Sequence, residues 1–103
     1  MAENQQQSGS GYVVLNHIGT GKKRPKVPSM LFVTCEYGDG YVSFTFPENV
    51  STLTFRIYND GEEISGMVTS DNTTAKIPSL HGVYNIECID DGYRIYFGVL
   101  HFQ

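Results

Sequence analysis

Few residues in this chain are able to do chemistry, and they are scattered. Cys35 and Cys88, with His17, His81 and His101, are the candidates for nucleophile or metal ligand. A nucleophilic thiol needs a histidine or a helix N-terminus beside it to lower its pKa, and neither cysteine has one nearby in sequence. The histidines fall singly, without the His-x-His or Cys-x-x-Cys spacing of a metal site. The acidic turns Asp60-Gly61-Glu62-Glu63 and Asp90-Asp91-Gly92 lack the ligand spacing of a calcium loop, and aspartate before glycine is ordinary turn chemistry. No Gly-x-Ser-x-Gly, phosphate loop or dinucleotide fingerprint is present. The expectation is a protein that is not an enzyme, with no catalytic residues, no cofactor and no metal.

The cysteines have another use. Cys35 shares parity with Leu31 and Val33, and Cys88 with Tyr84 and Ile86, so both are expected to face inward. Two cysteines this far apart bridge the sheets of antibody-type sandwiches, and a bridge closing such a loop would contribute roughly 4 kcal/mol. Against a bridge, the tryptophan that packs on it is missing, and Tyr84 lies four residues before Cys88 rather than two. Two buried thiols acting as small hydrophobes are the alternative.

Two further features are candidates for binding. Tyr41, Tyr58, Tyr93 and one of Tyr96 or Phe97 are candidates for outward faces, where aromatics make platforms for sugars or proteins; cross-strand pairing that stabilises the sheet is the favoured reading of them. The second is Ile18-Gly19-Thr20-Gly21, a candidate partner loop with Lys22, Lys23, Arg24 and Lys26 behind it. As an extended Gly-Thr segment it resembles the loop that small β-barrel inhibitors of secreted cysteine proteases place in the active site. The basic run reads otherwise as a solvated loop.

The elements that must hold these residues are strands. Residues 12–18 (YVVLNHI) are a β-rich run ending at Gly19. Residues 30–37 and 41–46 flank Gly38-Asp39-Gly40, a hairpin signal. In the second of these, Val42, Phe44 and Phe46 alternate with Tyr41, Ser43 and Thr45, as a half-buried strand requires. Residues 52–58 repeat the pattern with Leu53, Phe55 and Ile57 inward. Asn59-Asp60-Gly61 is a turn, residues 62–69 a weaker strand interrupted by Gly66, and residues 73–77 a short strand. Residues 83–89 and 93–102 close the chain. The last is apolar at both parities, so it needs cover on both faces. About seven to eight short strands, with turns every eight to twelve residues and no amphipathic helix, predict an all-β, two-sheet antiparallel sandwich; a closed barrel is the alternative.

Composition bounds the partners. The chain has 103 residues and a net charge of -4, enough for one core. Outside the 22–26 run, three basic residues face eleven acidic ones, so the body would repel a phosphate backbone and nucleic acid is not an expected partner. No apolar run is long enough for a membrane helix. Residues 1–10 are polar, lack the apolar stretch of a signal peptide, and read as a flexible leader before a domain spanning 11–103.

Ile77-Pro78-x-Leu80-x-Gly82-x-Tyr84-x-Ile86, followed by Asp91-Gly92 and Tyr96-x-Gly98-x-Leu100-x-Phe102, resembles the last three strands of bacterial immunoglobulin-like sandwich domains. The basic-proline segment before the first hairpin resembles one group in particular, an uncharacterised family of short secreted immunoglobulin-like proteins from gut anaerobes. The resemblance covers roughly residues 17–102 and carries over no catalytic residue; the two cysteines lie outside its pattern. It implies an immunoglobulin-like fold and export to the periplasm or beyond. The reading is a secreted or periplasmic, non-catalytic domain with a binding or structural role at the cell envelope. Its partner would be a protein, by strand addition or loop contact, or a glycan. Inhibition of a secreted cysteine protease and carbohydrate binding are the alternatives.

Overall fold

The computed structural model describes residues 11–18 and 32–103. Expectations placed on 1–10 and 19–31, among them the basic-proline segment and Gly19-Thr20-Gly21, lie outside the described residues. Eight strands follow in order, with no helix among the described residues: β1 (Gly11–Ile18), β2 (Val33–Gly38), β3 (Tyr41–Thr45), β4 (Thr52–Tyr58), β5 (Glu63–Thr69), β6 (Thr74–Lys76), β7 (Gly82–Asp90) and β8 (Ile95–Phe102).

All pairings are antiparallel, and the strands form one continuous series in the order β5-β4-β7-β8-β1-β2-β3-β6. Continuity depends on β1. Its residues Gly11 to Leu15 pair with Tyr37 to Val33 of β2, while Asn16 to Ile18 pair with Phe97 to Ile95 of β8. The ends of the series, β5 and β6, are joined by a turn closed by the single bridge between Thr69 and Asn72, and the two strands themselves do not pair. The result is a nearly closed, barrel-like sheet.

Alternation fills the interior. Leu53, Phe55 and Ile57 of β4, Ile86 and Cys88 of β7, and Tyr96 and Leu100 of β8 are buried from one side; Leu15, Val33, Cys35, Val42 and Phe44 are buried from the other. The Phe44 and Phe55 rings meet with centroids 5.5 Å apart. Phe102 sits edge-on between Tyr37 and Tyr84, at 5.1 and 5.6 Å. On β8 the inward Tyr96, Leu100 and Phe102 are buried, whereas Ile95, Phe97 and Val99 on the outward parity are half-buried. Beside it, β7 pairs along its whole length and β1 with Ile95 to Phe97, while the His101 N–H on the β1 side donates to the Tyr37 hydroxyl.

Glycine does not interrupt β5, contrary to expectation. Gly66 pairs with Phe55, and a Cβ there would lie 2.8 Å from Phe55 Cζ, so the missing side chain leaves room for the ring. Gly98 on β8 plays the same part for Leu15, whose Cδ2 fills the space a Cβ would need.

Candidate interaction site

Two turns are built by local hydrogen bonds. Between β4 and β5, Asn59 Oδ1 accepts the Gly61 and Glu62 N–H groups at 2.9 and 3.1 Å, a short polar side chain closing its own loop. Between β7 and β8, Tyr93 N–H donates to Asp90 O and Asp90 N–H to Arg94 O, both at 3.0 Å. Tyr93 takes the left-handed conformation, φ 66°. The strand therefore begins at Ile95, two residues later than the apolar run suggests.

Asp90 anchors this turn from inside. Its buried carboxylate accepts the Gly92 and Arg94 N–H groups on Oδ1, at 2.8 and 2.9 Å, and on Oδ2 the Tyr96 hydroxyl at 2.9 Å and the Arg94 guanidinium at 3.3 Å. Burial alone would raise its pKa. The donations from Arg94 N–H, the Tyr96 hydroxyl, Gly92 N–H and the Arg94 side chain together outweigh that and hold it below the ordinary value, because each favours the charged form. Tyr96 moves the other way, its phenol pushed up by burial and by the carboxylate it donates to.

The candidate binding tyrosines do not assemble. Tyr96 points into the core and is fully buried, which corrects its assignment to an outward face; Phe97 is the outward residue of that pair. Tyr41 is half-buried, its ring against Gly38. Tyr58 is half-buried beneath Arg56, whose guanidinium carbon lies 4.3 Å from the ring centroid; the same arginine reaches Glu87 at 3.2 Å and Glu63 at 3.7 Å. Only Tyr93 is open, 82% exposed. Strands β3 and β4 are not neighbours. Tyr93 follows the end of β7, far from Asn85, the residue of that strand paired with Tyr58. A single aromatic platform is absent among the described residues.

The candidates for nucleophilic and metal chemistry are equally separate. Cys35 and Cys88 are free and fully buried. Burial pushes the Cys35 thiol up to about 12, and burial, with the Cys35 charge and Glu87 adding to it, raises Cys88 further. Neutral, enclosed thiols are poor nucleophiles. His81 and His101 are exposed, His81 Nδ1 lying 2.7 Å from Gln103 O and the His101 backbone N–H 3.0 Å from the Tyr37 hydroxyl. Among the described residues no group of histidine, cysteine and carboxylate side chains is placed to hold a metal. Of the Ile18–Gly21 loop only the Ile18 backbone is described, paired with Ile95 beside the Asp90 turn.

What the sequence reading did not locate is the open edge. Thr69 N–H donates to Asn72 O at 3.2 Å and Asn72 N–H returns to Thr69 O at 3.0 Å, so the backbone groups of Thr69 face away from β4. Backbone direction alternates along a strand, and Glu63, Ser65 and Met67 must therefore face the same way. Beyond Thr69 that edge has no backbone partner among the described residues. Across the opening, Phe44 N–H donates to Thr73 O and Ile77 N–H to Gly40 O, both at 3.0 Å. These bonds turn Thr73, Ala75 and Ile77 toward β3 and leave Thr74 and Lys76 facing the opening. The seam thus has two unequal lips, seven residues on β5 and three on β6. Along β5 there is neither proline nor lysine, residues that commonly blunt an edge. Asp60, Glu62 and Glu63 stand exposed at one end of that lip and Asp71 beyond the other, with Met67 61% exposed between them.

No family model, curated protein or solved structure matches this chain.

Proposed function

We propose that the chain is a non-catalytic binding domain that takes up an extended segment of a partner protein along β5. The single observation that carries this reading is the row of backbone groups at Glu63, Ser65 and Met67 facing the seam. Such a row is a template for one more strand, and main-chain hydrogen bonds along it supply affinity irrespective of sequence. Charge selects the partner: Asp60, Glu62, Glu63 and Asp71 around the lip outnumber Arg56, which pairs with Glu63, and Lys76 on the facing lip, so a basic strand is attracted and acidic ones are repelled. A second copy of this acidic chain is disfavoured on the same ground.

The immunoglobulin-like sandwich belongs to this proposal. It is supported by the divided pairing of β1, which separates β2-β3-β6 from β8-β7-β4-β5 as a strand shared between two layers does. Residence at the cell envelope rests on the resemblance of residues 77–102.

The test uses a short synthetic peptide alternating valine with lysine, titrated into the isotope-labelled chain. Expected are slowed amide exchange at Ser65 and Met67 and weaker binding of a valine-glutamate counterpart. Unchanged exchange at those two amides would sink the reading.

A further inference from the structure

Cys35 and Cys88 belong to opposite walls of the core, and the pairing register places them at one level. Cys35 on β2 pairs with Phe44 on β3; Cys88 on β7 pairs with Phe55 on β4. The rings of those two partners touch across the interior at 5.5 Å. A path of two cross-strand neighbours and one ring contact therefore connects the cysteines, and both lie in the same buried cluster with no exposed surface. The thiols also sense each other, since charge on Cys35 opposes ionisation of Cys88. Neither takes part in the open edge on β5.

We propose that Cys35 and Cys88 join in a disulfide across the core when the chain folds in an oxidising compartment, and that the thiols described here are its reduced form. The electron balance is simple. Two thiols lose two protons and two electrons, forming one S–S bond, and the oxidant is a disulfide: oxidised glutathione or the active-site disulfide of a thiol–disulfide oxidoreductase, which leaves as two thiols. A thiolate is the attacking species. In the folded chain both sulfurs are buried and neutral, so exchange takes place during folding, before β1 reaches β8. The completed bridge is then sheltered from reductants by the burial that would otherwise prevent its formation.

The experiment refolds the full chain from denaturant in a reduced–oxidised glutathione buffer, and in parallel with excess reductant. Intact mass and thiol titration in denaturant are read on the monomer. Expected in the oxidising arm is a mass lower by two hydrogen atoms, no titratable thiol, native amide resonances and a higher unfolding midpoint, which falls to that of the reducing arm once reductant is added to the denatured chain. Cys35→Ala and Cys88→Ala, each alone, remove the mass difference. A natively folded monomer that keeps two titratable thiols after oxidative refolding overturns the proposal. So do bridges found only between molecules, or a bridged monomer without the native resonances. The wild-type mass decides the matter even where an alanine variant does not fold.

Discussion

The Tyr96 hydroxyl donates to the Asp90 carboxylate across 2.9 Å, both side chains being shut away from water. This bond ties the first inward residue of β8 to the last residue of β7, so the turn between them is fixed from the interior. A buried carboxylate survives only when its oxygens are satisfied, and here four donors converge on its two oxygens.

Asp90→Ala is expected to cost about 2–3 kcal/mol, because it leaves the Tyr96 hydroxyl buried without that acceptor. Tyr96→Phe, which removes one donor of four, should cost about 1 kcal/mol. Urea unfolding of the three proteins at neutral pH checks the order.

Acid should remove what Asp90 contributes. Its folded pKa is depressed, so the stabilisation is complete above its unfolded value of about 3.9 and disappears as pH falls through the lower folded value. The stability gap between wild type and Asp90→Asn is expected to be constant from neutral pH to about 5 and to narrow progressively as pH falls further. A gap that persists at low pH would contradict the hydrogen-bond geometry.

Proline should distinguish the two sides of β5. At Ser65 the N–H points into the seam, so Ser65→Pro removes no ladder bond and is expected to cost no more than about 1 kcal/mol. At Gly66 the N–H belongs to the β4 ladder and a Cβ would press on the Phe55 ring, so Gly66→Pro should cost about 3 kcal/mol or more. Thermal unfolding of both variants reads the difference, and Ser65→Pro should additionally abolish capture of the valine-lysine peptide.

Tyr93 holds a left-handed backbone with its ring in solvent. Glycine adopts that conformation without a Cβ clash, so Tyr93→Gly is expected to raise stability by about 0.5–1 kcal/mol. A loss instead would mean the ring is held by contacts the structure does not contain.

Much of the architecture could be read from residue order. The Asp39-Gly40 and Asn59-Asp60-Gly61 turns and the inward row Leu53, Phe55, Ile57 follow from local chemistry, and the structure has them there. Gly66 misled because its role depends on a ring from the neighbouring strand. Tyr93 misled because glycine is the expected left-handed residue, and Gly92, beside it, takes an ordinary φ. Tyr96 and Phe97 could not be told apart in a strand apolar at both parities until Asp90 was seen to claim the hydroxyl. The open edge was illegible for a different reason: strand order is a non-local property, and nothing within residues 63–69 says that β5 has one neighbour rather than two.

The divided pairing of β1 carries a consequence for timing. The first strand made is held on one side by the last, through Asn16, His17 and Ile18 opposite Phe97, Tyr96 and Ile95. During synthesis the β2-β3 hairpin and the β4-β5 pair can form early, but no continuous backbone ladder links the two groups until β8 has left the ribosome. Closure over so long a separation is slow, which leaves the nascent chain pliable until late.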